Sequence, residues 1–179
     1  MFKHVPNILT ISRFVFIPFI AYFIMQDNYI VATVFLIISG ITDVLDGYIA
    51  RKYNLSSDFG KLFDPLADKA TQVTALVTLV LKSIIPFWIL AIVIVKEFIM
   101  VAGASFLYGK ELVVYSKWYG KLSTVLFYVA IFASMIIRQF NLPYTFDSYL
   151  YYLALAFTIF SLIMYFKGFY MQGYLKKNK

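Results

Sequence analysis

Cysteine is absent from the 179 residues, and histidine occurs once, at His4. Disulfides and thiolate metal sites are therefore excluded. His4 stands before the first apolar stretch and reads as an interfacial side chain rather than a ligand. Charge is scarce as well: Asp, Glu, Lys and Arg make up 14% of the chain, against 62% hydrophobic residues and 20% aromatics. A soluble domain typically carries about a quarter charged residues. The composition is that of an integral membrane protein. Low-complexity tracts and repeats at a fixed period are missing, and with them any trace of the inverted halves of many transporters. Nothing resembles a nucleic-acid-binding module, so nucleic acid is not an expected partner.

Apolar stretches near the roughly 20 residues needed to cross a bilayer fall at about 8–26, 29–49, 62–85, 86–107, 119–137 and 148–170. The sequence thus predicts an all-α membrane protein with six transmembrane helices, forming one membrane-embedded domain over 1–179. The first stretch contains Arg13 and Pro18 and runs into Gln26-Asp27-Asn28 instead of a small-residue cleavage site. It is expected to stay in the mature protein. Basic residues resist translocation, and they are unevenly shared between the two sets of connections. One set holds Lys3, Arg51, Lys52, Lys61, Lys110, Lys117 and Lys121 with four lysines from 167 onward; the other holds Lys82 and Arg138. Both termini are therefore expected in the cytoplasm, and the net charge of +7 lies mainly on the face touching anionic membrane lipids.

Against this apolar background, residues 43–68 carry five aspartates. On a helix, Ser39, Gly40, Asp43, Asp46, Gly47 and Ala50 form one stripe of small or acidic residues, with Ile41, Val44, Leu45 and Ile49 turned elsewhere. Asp64 and Asp68 share a face of the next helix, continued by Thr71, Gln72 and Ala75. A loop over 53–61 with Gly60 folds the two stripes together, so four carboxylates are expected to meet. An ionised aspartate inside a bilayer costs roughly 2.5–3.5 kcal/mol. Something positive must compensate, and Arg51 and Lys69 are nearby candidates. Oxygen-only ligands also suit hard divalent cations, Mg²⁺ or Mn²⁺, and facing carboxylate pairs suit two such ions in phosphoryl transfer. Part of the pattern has a structural explanation: Asp64-Pro65 reads as an N-cap with proline at the first helical position, and Asp68 as a first-turn acid. Asp43 and Asp46, within an apolar helix, are not explained that way. Asp58 reads as a solvated loop residue.

The pattern Asp43-x2-Asp46-Gly47-x2-Ala50-Arg51-x8-Gly60-x3-Asp64-x3-Asp68 resembles, position for position, the signature of the CDP-alcohol phosphotransferase family. The opening Pro6-Asn7-Ile8-Leu9-Thr10-Ile11-Ser12-Arg13 and the length are similar to its bacterial phosphatidylglycerophosphate synthase branch. The resemblance implies phospholipid biosynthesis at a bacterial inner membrane: transfer of a phosphatidyl group from CDP-diacylglycerol to an alcohol, with release of CMP on the cytoplasmic side. It also implies a homodimer. By position, Asp43, Asp46, Asp64 and Asp68 become the metal-site acids and Asp68 the general base. Asp46, Gly47, Ala50, Arg51 and Gly60 become the donor pocket.

For the acceptor, sn-glycerol 3-phosphate is the expectation, with Lys96, Lys117 and Lys121 as the residues that would meet its phosphate. The chain departs from the branch in having Lys96-Glu97 where Arg-Glu is usual, and Gly120-Lys121-Leu122-Ser123-Thr124 where Gly-Lys-x-Lys-Thr is usual. A cardiolipin synthase using phosphatidylglycerol, or another polar alcohol as acceptor, stays open. Outside the family, an ion or proton transporter would spread its acids along a route near mid-bilayer, and a membrane prenyltransferase resembles a larger bundle.

Overall fold

A computed structural model describes residues 5–53, 58–108, 118–143 and 145–177, with side chains over 9–49, 52–53, 63–99, 118–143 and 145–167. Six helices follow in order: α1 Val5–Met25, α2 Tyr29–Lys52, α3 Asp58–Leu81, α4 Phe87–Tyr108, α5 Trp118–Gln139 and α6 Phe146–Lys177. The architecture is all-α among the described residues. Three stretches are long and apolar enough to span a bilayer: Tyr29–Ile49, Trp118–Gln139 and Phe146–Lys167.

Apolar core residues such as Ile20, Leu76 and Ile131 are accompanied by buried polar side chains and by large apolar ones on the outside. Thr10, Arg13, Asp46, Gln72, Ser134 and Thr158 are buried, while Ile37, Ile41, Val44, Phe87, Phe98 and Ile163 are exposed. Apolar side chains facing outward and polar ones facing other helices are what a lipid solvent selects, because in hydrocarbon every polar group must find a protein partner.

Two compact units divide the chain. The first comprises Met1–Ile85 with Ser134–Pro143, and the second Pro86–Ala133 with Tyr144–Lys179. In the first, α1 lies against both α2 and α3, which also touch each other. Phe35 of α2 anchors the α1 contact, its ring lying 5.8, 5.5 and 5.7 Å from those of Phe16, Phe19 and Phe23. In the second unit α4 packs on α6. There α5 reaches α6 through Tyr119 and Tyr165, with ring centroids 5.2 Å apart. A Cβ at Gly120 would come within 2.9 Å of the Tyr165 hydroxyl, the tip of a side chain that reaches across from α6.

Three tight turns share one device. Asp27, Ser83 and Asn141 have φ of 60°, 56° and 48°, the left-handed conformation that closes a helix C-terminus. The amide of the following residue then bonds five residues back: Asn28 to Phe23, Ile84 to Leu79 and Leu142 to Ile137. The orphan carbonyls at these helix ends are satisfied without glycine. The first turn is tied to the second by Lys82, whose Nζ lies 2.7 Å from the Asp27 carboxylate. That ammonium, with the Tyr29 hydroxyl, holds Asp27 below the usual carboxylate range.

Helix α3 departs from expectation at its start. It begins at Asp58, so Pro65 lies inside the helix and Asp64 is not its N-cap. Gly60 is helical rather than the pivot of a loop, and Asp58 belongs to the helix rather than to a surface loop. The physical reason is that the backbone bonding of the flanking turns, running from Asp58 onward, outweighs the one N–H that Pro65 lacks and the crowding of its ring. Pro86 stands just before α4 and its carbonyl accepts from Ile89 N at 3.2 Å, which fits a helix start there.

The Phe35 contact yields a stability test. Phe35→Ala removes one ring from a four-ring cluster at a half-buried position. It should lower unfolding stability in mixed micelles by about 2 kcal/mol, roughly half the cost at a fully buried phenylalanine.

Candidate functional site

The acidic pairs lie at one end of the first unit, where α1 starts, α2 ends and α3 starts. Three-residue spacing places Asp43 and Asp46 on one face of α2, and four-residue spacing does the same for Asp64 and Asp68 on α3. Helix α1 brings no acid to this place but inserts Arg13, 1% exposed. Arg13 Nη1 donates to Asp43 Oδ1. Its Nη2 donates to Asp46 Oδ2 at 2.5 Å and to Asp64 Oδ1 at 3.0 Å. One turn earlier, buried Thr10 donates its hydroxyl to the same Asp64 oxygen at 2.5 Å. Side chains on a helix lean toward its N-terminus, so Arg13 and Thr10 reach the same level of α3. Asp68 lies within electrostatic range of Asp43, and Lys69 Nζ is 3.9 Å from the Asp68 carboxylate.

The structure thus gathers Asp43, Asp46 and Asp64 on the guanidinium of Arg13, while the expected candidate Lys69 lies beside Asp68 and the Arg51 side chain is outside those described. Three carboxylates at −1 and one guanidinium at +1 leave a formal charge of −2 in this bonded group. The group is open on one side: the side chains of Asp43 and Asp64 are 47% and 34% exposed, whereas that of Asp46 is 3% exposed.

Does this set suit a divalent cation? The donors are carboxylate oxygens only, the class that hard ions prefer. Arg13 engages one oxygen of each acid, leaving Asp43 Oδ2, Asp46 Oδ1 and Asp64 Oδ2 outside its bonds. The surplus negative charge favours a cation. Among the described residues, no three acidic or histidine side chains are already arranged around a common ion position. The residues therefore fit such an ion by chemistry and charge, provided the guanidinium gives way.

Other expected site residues are placed less fully. Gly47 follows Asp46 on α2, and Ala50, Arg51 and Gly60 stand on helices α2 and α3 while their side chains lie outside those described. A Cβ at Gly40 would meet nothing within 4 Å among the described residues. Lys96 is buried on α4 with Nζ 2.5 Å from Glu97 Oε1, so its neighbour in sequence provides a counter-charge. Lys121 is exposed on α5. Lys96 and Lys121 belong to the second unit, and Lys117 lies outside the described residues.

The profile of the CDP-alcohol phosphatidyltransferase family matches residues 3–160. The chain belongs to that family. Among its relatives, the Haemophilus influenzae CDP-diacylglycerol--glycerol-3-phosphate 3-phosphatidyltransferase is 34% identical over 170 residues, covering 90% of this chain and 91% of that protein. The Bacillus subtilis protein of the same name is 30% identical over 161 residues, 82% of each chain. A probable cardiolipin synthase (CMP-forming) of Drosophila melanogaster is 39% identical over 103 residues, 57% of this chain but only 32% of that protein. As a member of this phosphatidyltransferase family, the chain carries the signature acids on α2 and α3. Its α1 residues Arg13 and Thr10 complete the polar cluster.

Sequence reasoning had not placed Arg13 and Thr10 in the site. The available signal was an arginine inside an apolar helix, which is itself a mark of function. Gln72 was placed on the acid stripe, but its buried Oε1 has no hydrogen-bond partner, which spacing could not reveal.

The Thr10 bond can be tested by a near-isosteric change. Thr10→Val deletes a buried hydrogen bond to a carboxylate and should cost about 2 kcal/mol in unfolding stability, within the range for bonds to charged groups. Thr10→Ser, which keeps the hydroxyl, should retain most of it.

Proposed function

We propose that the protein is a phosphatidylglycerophosphate synthase, transferring the phosphatidyl group of CDP-diacylglycerol to sn-glycerol 3-phosphate with release of CMP. One observation carries the choice of acceptor. The likeness to bacterial proteins named for this reaction runs through nearly the whole chain, 90% of it for the Haemophilus influenzae relative. In this reading all six helices span the bacterial inner membrane as one catalytic domain over 1–179. Both termini and the acidic end of α2 and α3 face the cytoplasm, and the protein works as a homodimer.

The chemistry follows from the placement of the acids. The donor's acyl chains stay in lipid while its pyrophosphate meets the open side of the Asp43 and Asp64 carboxylates. What a hard divalent cation, Mg²⁺ or Mn²⁺, supplies when held by Asp43, Asp46, Asp64 and Asp68 is screening of that pyrophosphate. Gly47 and Ala50, lacking bulk, admit the cytidine beside Asp46, with Arg51 and Gly60 in the same pocket. The acceptor hydroxyl oxygen forms a bond to the phosphatidyl phosphorus, and the bond from that phosphorus to the CMP phosphate oxygen breaks. Asp68 takes the hydroxyl proton as attack proceeds and later passes it to solvent. Lys96 and Lys121, with Lys117, offer positive charge to the acceptor's phosphate. A lysine supplies a point charge without the two-pronged fit of arginine.

A second reading is favoured by one observation. The fly relative named as a cardiolipin synthase is 39% identical over its matched region. In that case phosphatidylglycerol replaces glycerol 3-phosphate as acceptor.

An acceptor screen decides between them. Purified protein with labelled CDP-diacylglycerol and Mn²⁺ should release CMP at least about tenfold faster with glycerol 3-phosphate than with phosphatidylglycerol, inositol phosphate or serine, a margin of roughly 1.4 kcal/mol in transition-state binding. Preference for phosphatidylglycerol would make it a cardiolipin synthase. Excess EDTA should stop CMP release, and Asp68→Asn should lower kcat by on the order of a hundredfold or more.

Lys96 provides a separate test. Lys96→Met should raise KM for glycerol 3-phosphate about tenfold, the loss of one charged hydrogen bond, and leave KM for the donor nearly unchanged. A donor effect of equal size would remove Lys96 from the acceptor site.

A further inference from the structure

Arg13 poses a question that the acids alone do not. A guanidinium offers five N–H donors, and a purely architectural arginine at 1% exposure would be expected to use them all. Arg13 spends both terminal nitrogens on acids of the signature, while its buried Nε has no hydrogen-bond partner among the described residues. The seat satisfies the carboxylates better than it satisfies the arginine. Exposure is also asymmetric. Asp43 and Asp64 are partly open while Arg13 lies behind them, so an ion arriving from the open side meets carboxylate oxygens first. Finally, the three acids come from two helices that α1 bridges. Without a cation, like charges facing each other across α2 and α3 would push those helix ends apart.

We propose that Arg13 is a positioning residue that stands in for the divalent cation: its guanidinium gathers Asp43, Asp46 and Asp64 while no ion is bound and yields carboxylate oxygens when one binds. This rests on the reading of the aspartates as a divalent-cation site. The protein thereby has its acids collected before the ion arrives, at the cost of a competing internal charge. Guanidinium and divalent ion act on the same carboxylates, so each weakens the need for the other. That is a negative coupling between them.

The coupling is measurable without turnover. Full-length protein in detergent is unfolded thermally in excess EDTA and again across a Mn²⁺ titration, for the parent, Arg13→Met and Arg13→Lys. In EDTA, Arg13→Met should unfold roughly 5 °C or more below the parent, because it strands the buried Asp46 carboxylate and leaves Asp43 and Asp64 beside it without a counter-charge. Saturating Mn²⁺ should close at least half of that gap. The Mn²⁺ concentration giving half the thermal shift should fall about threefold or more relative to the parent, as expected when a competitor for the ligands is removed. Arg13→Lys keeps one charge but cannot bridge three carboxylates, and should fall between the two.

A merely structural arginine would lower the unfolding temperature equally with and without Mn²⁺, and that result overturns the proposal. If Arg13→Met does not fold even in Mn²⁺, the Arg13→Lys titration decides alone, with a thermal shift no larger than the parent's counting against it. A parent that Mn²⁺ fails to stabilise at all would overturn the cation-site reading itself, which separates that failure from the failure of Arg13 as a stand-in. The acceptor assignment is untouched by any of these outcomes.

Discussion

Everything at the acidic end of the first unit depends on one buried guanidinium. Arg13 bonds acids from two helices at once, at 2.5 Å to Asp46 and 3.0 Å to Asp64, with Asp43 on its other terminal nitrogen. A charge of either sign alone in this apolar bundle would be costly, and removing one member of such a buried group typically costs about 3–5 kcal/mol because the others are stranded. The interaction therefore sets the register of α1 against α2 and α3. Thr10 reinforces that register from the next turn by donating to Asp64.

The remainder of the first unit is arranged to let this cluster exist in lipid. The phenylalanines of α1 stack on Phe35 farther along the same helix pair and pack the α1 and α2 surfaces together. At the opposite end, left-handed residues at Asp27 and Ser83 close α1 and α3 without leaving carbonyls exposed to hydrocarbon, and Lys82 ties the two turns together. Large apolar side chains such as Val44 and Ile41 then face outward from the helix that carries the acids. One helix thus presents lipid-soluble and ionised surfaces on different sides, which suits a reaction between a lipid-anchored donor and a water-soluble acceptor.

Much of the molecule was legible in its amino acids because the physics involved is local. Helix number followed from runs of apolar residues, six helices being present and three of them long and apolar enough to cross a bilayer. The sharing of faces by Asp43 with Asp46, and by Asp64 with Asp68, followed from the helical repeat. The start of α3 was misjudged because Asp64-Pro65 carries a strong local signal for a helix start. Continuity of backbone bonding from Asp58 onward overrode it.

The sequence by itself determined the membrane class, the helix count, the family signature and the four aspartates, because each depends on composition or on spacing within one or two helices. Only the tertiary structure decided what neutralises those aspartates. Lys69, next to Asp68 in sequence, lies 3.9 Å from its carboxylate, but the partner of Asp43, Asp46 and Asp64 is Arg13, thirty residues before Asp43 and fifty-one before Asp64. Electrostatic pairing depends on distance in space, and a bundle brings together side chains that chain order keeps far apart. That Arg13 meets the acids is settled by how α1 lies against α2 and α3, a packing outcome that no helical repeat encodes.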